Sequence, residues 1–150
     1  MSHLADARAA EKTSSRIDIV ADRSVDVDAF LDILVRSGLA ERRPAHDRDR
    51  LAQMIAHANL TVTAWDGARL VGLSRSLTDF SYVCYCADLA VDRAYQGQGI
   101  GKALLDATRA RLHPRATLYL RSAPDAVGFY EKIALAPVAR FFAMLPSGKD

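Results

Sequence analysis

The sequence predicts a single α/β domain in which helices flank a mixed, mostly antiparallel sheet. Short apolar or alternating runs, which are typical of strands, are interspersed with segments of helical spacing along the chain. The early strands follow one another through tight turns, whereas a helix separates the longest strand from the next one. Tight turns indicate antiparallel neighbours, and a helical connection indicates a parallel crossover. The predicted order of elements is βααβββαβαβ.

The composition is that of one globular domain. Of the 150 residues, 50% are hydrophobic and 25% are charged, and the formal net charge is +2. This charge is too small and too dispersed to predict nucleic-acid binding. No apolar run approaches the ~20 residues of a membrane span, so we expect a cytoplasmic protein with no membrane partner. Residues 1–15 lack periodicity and are predicted to be a flexible tail before a domain spanning residues 16–150.

The domain is predicted to begin with one strand and two helices. Residues 16–20 alternate between polar and apolar, which predicts a short strand. Asp26 is a suitable N-cap, and Gly38 a suitable stop, for a helix with one apolar face. Apolar spacing over residues 51–58 indicates the second helix. The apolar face of the first helix is predicted to consist of Val27, Phe30, Leu31, Leu34 and Val35.

Three strands are predicted to follow as a meander. Leu60–Trp65 is β-branched and alternating, and Asp66-Gly67 is a strong hairpin signal before the partner strand Leu70–Leu77. A second turn near Asp79 leads into Tyr82–Val91. That run is almost wholly apolar, which predicts a strand covered on both faces.

The last third of the chain is predicted to complete the sheet. A glycine-rich turn precedes a helix with apolar spacing from Ile100 to Ala107. Thr117–Arg121 is predicted to be a strand, since prolines bound it on both sides. A short helix over Ala126–Ile133 and a final strand over Arg140–Leu145 are expected to end the domain.

The two cysteines are predicted to be reduced core thiols. Cys84 and Cys86 lie two apart in a strand, where they share a face and where a disulfide has poor geometry. A catalytic cysteine close to His46 or His57 is the alternative. No Cys or His set has metal-ligand spacing, so no metal site is predicted.

The glycine-rich turn over residues 96–101 is the strongest functional signal. It fails as a P-loop, because Gln96 replaces the first glycine and Ala103 the final hydroxyl residue. It fails as a dinucleotide fingerprint, because Lys102 replaces the third glycine.

The pattern that fits the turn is Q-x-x-G-x-G, with Gln96, Gly99 and Gly101 at the fixed positions. Glycines let the backbone approach an anion closely, and the following helix offers free N–H groups and a positive dipole end. The turn therefore predicts pyrophosphate binding. A plain strand-to-helix turn is the alternative.

The residues around this turn resemble the GNAT family of N-acetyltransferases. Leu89–Leu105, which reads LAVDRAYQGQGIGKALL, is close to the central acetyl-CoA motif of that family. Ala126–Lys132, which reads AVGFYEK, resembles its A-x-x-F/L-Y-E-K helix. The predicted element order also agrees over about residues 16–145. Two departures are Ala123, where the family often has Asn, and Ala134-Leu135, where it usually has Gly-Phe.

The second departure removes the glycine that favours a left-handed helix stop, so the end of this helix is expected to differ from the family. The resemblance implies acetyl-CoA as co-substrate and no metal. The turn is expected to bind the pyrophosphate through backbone N–H groups, and the long strand to pair with the pantetheine amides. The cofactor-binding residues implied in this way are Leu89, Ala90, Val91, Gln96, Gly97, Gln98, Gly99, Ile100, Gly101, Lys102, Phe129 and Tyr130.

The resemblance also implies catalytic roles. The backbone N–H near Leu89 is expected to stabilise the oxyanion. Tyr130 is expected to protonate the departing thiolate, since a thiol has a pKa near ~8.5 and a tyrosine near ~10. Asp88 either binds or deprotonates the amine, or accepts structural hydrogen bonds. Glu41 and Asp79, both in predicted loops, are comparable candidates.

The function implied is an N-acetyltransferase that moves an acetyl group from acetyl-CoA to a primary amine of a small molecule or peptide, by direct attack in a ternary complex. A homodimer stays open, because dimers are frequent in the family. One alternative is a non-catalytic acyl-CoA-binding sensor or partner module. A third possibility is a nucleotide-binding protein. Stabilisation by ATP or NAD, and not by CoA, would identify it.

Overall fold

A computed structural model describes residues 16–148. The tail predicted for residues 1–15 and the last two residues of the predicted domain lie outside this part. The strands are β1 (Ile17–Val20), β2 (Leu60–Asp66), β3 (Arg69–Thr78), β4 (Val83–Val91) and β5 (Thr117–Leu120). The helices are α1 (Val27–Ser37), α2 (Arg48–His57), α3 (Ile100–Ala110) and α4 (Val127–Lys132), with 3-10 turns at Leu39–Arg42 and Arg93–Tyr95. No helix in the described range is long and apolar enough to cross a membrane.

The strands form one sheet in the order β1-β2-β3-β4-β5. The pairs from β1 to β4 are antiparallel, and β5 pairs parallel to β4 after the chain has crossed through α3. The predicted fold class, meander and crossover are therefore confirmed. At the β2–β3 hairpin, Gly67 has a φ of 58°, which is the left-handed conformation that a glycine adopts without strain.

Each face of the sheet packs against its own helical layer. On one face, α1 and α2 bury Phe30 and Leu51 against Leu73 of β3. On the other face, α3 buries Leu104 against Val62 of β2. Alternate strand residues point to opposite faces, so β2 supplies both cores. The sheet is therefore fixed from both sides, and its β4–β5 end is held by these layers.

Helix α1 begins and ends where the sequence predicts. The Asp26 carboxylate accepts a hydrogen bond from the N–H of Ala29, and Gly38 takes the left-handed conformation at the C-terminus. The buried face differs from the prediction by part of a turn. Ile33 is fully buried, whereas Val35 is 55% exposed, because the sheet meets the helix along the i, i+3, i+4 stripe that starts at Phe30.

Strand β4 is not covered on both faces as predicted. Exposure alternates along the strand, with Cys84 buried and Tyr85 39% exposed. A bulge opposite Arg75 and Ser76 interrupts the pairing with β3, so that Cys84 packs in the α3 core and Ala90 in the opposite core. The second face is apolar in sequence and yet open, because it borders the cavity described below.

Asp92 anchors the chain where it leaves β4. Its N–H donates to the Val71 carbonyl at 2.9 Å, and its carboxylate accepts from the Ala94 N–H at 2.9 Å and from Arg36 Nη1 at 2.5 Å. Burial opposes ionisation, but the hydrogen bonds from Ala94, Arg36 and Arg69 outweigh it and hold the pKa of Asp92 below its usual range. Asp92 thus ties α1 to the start of the glycine-rich turn.

The predicted final strand over Arg140–Leu145 is not formed among the described residues. Arg140 has a φ of 64°, which breaks the extended run. Phe141 lies beside Tyr119 of β5, with ring centroids 5.5 Å apart, but Phe142 is 91% exposed. Strand-forming residues need a paired neighbour for their backbone groups, and here they find none.

The end of α4 also differs from the prediction. The Leu135 N–H donates to the Tyr130 carbonyl, and the Ala134 N–H donates to the Glu131 carbonyl, which together make a Schellman stop. Ala134 therefore occupies the left-handed position, with a φ of 66°. The helix thus ends in the backbone conformation that a glycine usually provides. Because the residue is Ala134, that conformation is strained.

Replacing Ala134 by Gly is expected to stabilise the protein. Relief of the left-handed strain, less the extra backbone entropy of glycine, gives a net gain of about 0.5–1 kcal/mol. Thermal unfolding should show a melting temperature higher by about 1–4 °C. The matched control is Ala110→Gly at the exposed end of α3, which is expected to lower it. Equal effects of the two substitutions would contradict the strain.

Replacing Asp92 by Asn is expected to cost about 3 kcal/mol at neutral pH, since it removes the buried carboxylate shared by Arg36 and Arg69 and leaves Arg36 only its exposed partner Asp32. The pKa of Asp92 is lowered in the folded protein, so its carboxylate stabilises the fold above pH ~4 and ceases to do so as the pH falls through the lower value.

Urea unfolding at a series of pH values measures this difference. The gap in unfolding free energy between the wild type and Asp92→Asn should be constant from pH 6 to 8 and shrink below pH ~4. Asp18→Asn, in an exposed pair with Arg16, serves as the control and should change little. A gap that stays unchanged down to pH 2 would refute the assignment.

Candidate active site

The site lies where β4 and β5 part. The two strands pair only as far as Cys86 opposite Leu120, whereas β4 continues to Val91 against β3. Residues 87–91 thus have an open backbone edge on the β5 side. A cavity of about 690 Å³ lies at this point, which we call the β4 cavity. Residues from each surrounding element line it, among them Leu39, Arg43, Tyr85, Leu89, Leu120 and Tyr130.

A carboxylate between two arginines forms one wall of the β4 cavity. Asp88 follows the bulge at Ala87, and its side chain is 0% exposed. Arg43 Nε donates to one carboxylate oxygen of Asp88 and Arg75 Nε to the other, each at 2.5 Å. Both oxygens are therefore occupied by charge-assisted hydrogen bonds, which is what an ionised group requires at this depth.

The two arginines join distant parts of the chain. Arg43 Nη2 donates to the Ala87 carbonyl at 2.9 Å and Nη1 to the Arg42 carbonyl at 2.8 Å. Arg75 Nη1 donates to the Met54 carbonyl at 3.2 Å. The segment between α1 and α2 is thereby fixed to the bulge of β4. The sequence suggested Arg43 only as a contact to an acidic or polar substrate, or as a solvated residue, and predicted neither arginine as a partner of Asp88. A lone carboxylate in an apolar run nevertheless indicates that cationic partners exist.

The glycine-rich turn presents backbone donors at the start of α3. Gly97 and Gly99 have φ values of 81° and 80°, and a Cβ at either position meets no atom within 4 Å. Gln96 Nε2 donates to the Val91 carbonyl at 3.1 Å and so fixes the turn to the end of β4. Among the described residues, the N–H groups of residues 100–102 have no acceptor. Left-handed turns before a helix gather such donors into an anion-binding concavity.

Tyr130 of α4 lines the β4 cavity and is half-buried. Burial, with a smaller contribution from the neighbouring Cys86, raises the pKa of Tyr130 to about 12, and Arg43 opposes this shift. The hydroxyl consequently keeps its proton throughout the neutral and moderately alkaline range. It is a donor in the cavity, and not a base.

Phe129 connects α4 to the glycine-rich turn. A Cβ built at Gly101 comes within 3.0 Å of Cζ of the Phe129 ring, so the absence of a side chain there lets α4 approach the first turn of α3. The rings of Phe129 and Tyr130 are in edge contact, with centroids 5.1 Å apart. The placement of Tyr130 therefore depends on Gly101 of the turn.

The other candidates from the sequence have structural partners or lie open. Asp79 accepts hydrogen bonds from the N–H groups of residues 81–83, and the pKa of Asp79 is lowered by them. Glu41 is exposed in its 3-10 turn. Cys86 is buried, which raises the pKa of its thiol, and both cysteines are free as predicted. His57 contacts the carbonyl of the preceding turn of α2.

The β4 cavity brings together three of the predicted catalytic residues, namely Asp88, Leu89 and Tyr130. Ala90, the neighbour of Leu89 in β4, is 1% exposed and packs into the α1–α2 core. Residues 96–102 do not line the cavity and lie beyond the end of β4. No group of three or more potential metal ligands occurs within residues 16–148. The arrangement offers a hydroxyl donor and an open strand edge in the cavity, with unpaired backbone N–H groups beyond the end of β4.

The chain matches the family model described as an acetyltransferase (GNAT) domain over residues 31–134. A curated relative, the histone acetyltransferase TAP1 of Glycine max, is 45% identical over 38 residues, which is 25% of this chain and 16% of that protein. The chain thus matches about a sixth of that relative's length.

Solved structures have the same fold. A GNAT-family acetyltransferase from Streptococcus pneumoniae aligns with a TM-score of 0.72 and 24% identity, over 90% of this chain and 100% of that one. A probable acetyltransferase from Staphylococcus aureus gives 0.70 and 20%, over 89% and 100%. A GNAT-family protein from Xanthomonas campestris gives 0.70 and 22%, over 87% and 94%.

These matches confirm the predicted family and the predicted enzyme class. Members of this family use acetyl-CoA as co-substrate, and the strand, turn and helix that carry the predicted motif lie within the matched residues. The chain belongs to the GNAT family, whose model describes an acetyltransferase domain.

Proposed function

We propose that this protein transfers the acetyl group of acetyl-CoA to a primary amine of a small molecule or peptide, by direct attack while both ligands are bound. The observation that carries the proposal is the β4 cavity, in which the open edge of β4 faces the hydroxyl-bearing residue Tyr130. An amine and a thioester that meet there have a protein donor beside them. Holding both reactants in one cavity removes much of the entropic cost of their encounter.

The residues present fit acetyl-CoA, which supplies an acetyl group activated as a thioester. The N–H groups of residues 96–102 would hold the pyrophosphate, as the unpaired donors and the open space above Gly97 and Gly99 favour. Residues 87–91 of β4 would pair with the pantetheine amides as an added strand does. We assign the N–H of Leu89, at this edge, to the carbonyl oxygen that gains charge during transfer.

Tyr130 is proposed to donate its proton to the departing thiolate. Ionising a group of pKa about 12 in favour of a thiol of pKa ~8.5 costs about 5 kcal/mol if it happens as a separate step. Tyr130 therefore acts best as a hydrogen-bond donor whose proton moves as the sulfur leaves. It is then reprotonated from solvent, which also takes up the proton that the acylated nitrogen loses. Its raised pKa ensures that the donor is always protonated at the start of a turnover.

Asp88 is proposed to position Arg43 and Arg75 and not to take a proton from the amine. Each carboxylate oxygen already accepts a hydrogen bond from a guanidinium, so a substrate amine would have to displace an arginine to reach it. This geometry favours the alternative in which Asp88 accepts structural hydrogen bonds.

Gly99→Asp is expected to weaken CoA binding by at least about 30-fold, because the added carboxylate repels the pyrophosphate and the side chain fills the open space above the turn. Titration calorimetry with CoA measures the effect. The matched control is Gly67→Asp, which is also at positive φ and in open space but lies in the β2–β3 hairpin.

The control variant should lose similar stability and bind CoA as the wild type does. Equal CoA affinity in all three proteins would remove residues 96–102 from the cofactor site.

Tyr130→Phe is expected to lower kcat by about 100-fold or more while the acetyl-CoA affinity changes little, because only the proton donor is removed. Release of free thiol across a panel of amines measures kcat. Tyr82→Phe, at an exposed tyrosine outside the β4 cavity, is the control.

The pH profile provides a second check. A group of pKa about 12 stays protonated, so the activity of the wild type and of Tyr130→Phe should have the same shape between pH 7 and 10. An unchanged kcat in Tyr130→Phe would exclude the acid role. Tight CoA binding without turnover on any amine would instead support the non-catalytic binding module.

A further inference from the structure

The lining of the β4 cavity carries an excess of positive charge. Five arginines line it against one carboxylate, that of Asp88, an excess of four positive charges. A cavity with low-dielectric walls concentrates such a field and attracts anions. The arginines are Arg42, Arg43, Arg50, Arg75 and Arg121.

The internal carboxylate does not neutralise this wall. Asp88 pairs with Arg43 and Arg75, so one charge compensates two. Arg75 is only 6% exposed, and its Nη2 has no acceptor among the described residues. The side chains of Arg42 and Arg121 are exposed, and no hydrogen bond or ion pair within residues 16–148 uses their guanidinium groups. None of these donors is buried without a partner, so they are open to solvent and available to an anionic ligand.

The pyrophosphate of the co-substrate does not account for these arginines. The turn that fits it, residues 96–102, lies outside the β4 cavity and provides its own N–H donors. Three of the arginines come from the segment around α2 and one from β3, which together form the wall opposite α4 and β5. An anion on that wall would therefore belong to the second ligand of the reaction.

We propose that the acceptor is an amine that also carries an anionic group, a carboxylate or a phosphate, which Arg42 and Arg75 bind while the amine points towards Tyr130. This inference rests on the proposed function. Guanidinium groups pair with the two oxygens of such anions in a bidentate manner, which fixes orientation as well as charge. A polycationic amine meets repulsion from the same wall.

Matched amine pairs test the proposal, because the members of each pair differ only in the anionic group. Phenylalanine against phenethylamine and the C-terminally amidated dipeptides Ala-Glu-NH₂ against Ala-Gln-NH₂ examine the carboxylate, and phosphoethanolamine against ethanolamine examines the phosphate. We expect the anionic member of at least one pair to have a kcat/KM at least 30-fold higher in the thiol-release assay. The preference should fall as ionic strength rises. Equal or better use of the uncharged members in every pair would overturn the inference and leave the transferase intact.

Variants test whether the arginines of the β4 cavity cause this preference for anionic acceptors. Arg42→Gln is expected to raise the KM of the anionic acceptor at least tenfold, with kcat, the CoA affinity and the KM of the neutral partner unchanged. Arg115→Gln, at an exposed arginine outside the cavity, is the control and should behave as the wild type. A loss of CoA affinity in Arg42→Gln that matches the rise in KM would overturn the assignment to the acceptor.

A binding measurement separates this inference from the proposed function. In the presence of saturating CoA, the anionic amine should raise the melting temperature of the wild type and not that of Arg42→Gln. This result without any thiol release would support the anion site while refuting transfer. No shift with any anionic amine, together with turnover of neutral ones, would refute the anion site alone.

Discussion

The site depends on the unequal pairing of β4. This strand pairs with β3 from Cys84 to Val91, with one bulge, but with β5 over only four positions. Residues 87–91 therefore have backbone groups without a strand partner on the β5 side. The open edge, the β4 cavity and the position of Tyr130 are all consequences of this divergence.

The bulge at Ala87 has a second effect, which is electrostatic. It moves Asp88 to the face where the segment between α1 and α2 meets the sheet, and the carboxylate there binds Arg43 and Arg75. One buried charge thus positions two of opposite sign. In the proposed function, arginines beside β4 would recognise the acceptor, whereas backbone N–H groups beyond the end of β4 would recognise the co-substrate.

The parts of this molecule that sequence predicted are those that local interactions decide. The Asp26 cap, the Gly38 stop, the hairpin at Gly67 and the glycine-rich turn each depend on residues within a few positions. The incorrect or missing predictions concern features that depend on residues distant in the sequence. Arg140–Leu145 has strand-forming residues but no neighbour to pair with, and the partners of Asp88 lie 45 and 13 residues before it in the chain. Periodicity does not report such contacts.

Helix α4 has six residues and none of them is buried, although it carries Tyr130. The helix is attached through the contact of Phe129 with Gly101. It ends at Ala134, whose left-handed conformation is strained and lowers the stability of this end. Such an element opens at a far lower free energy than the sheet. Local unfolding would therefore remove the proposed proton donor while the rest of the domain stays native. Amide hydrogen exchange in α4 would then measure the competence of the site more sensitively than global stability does.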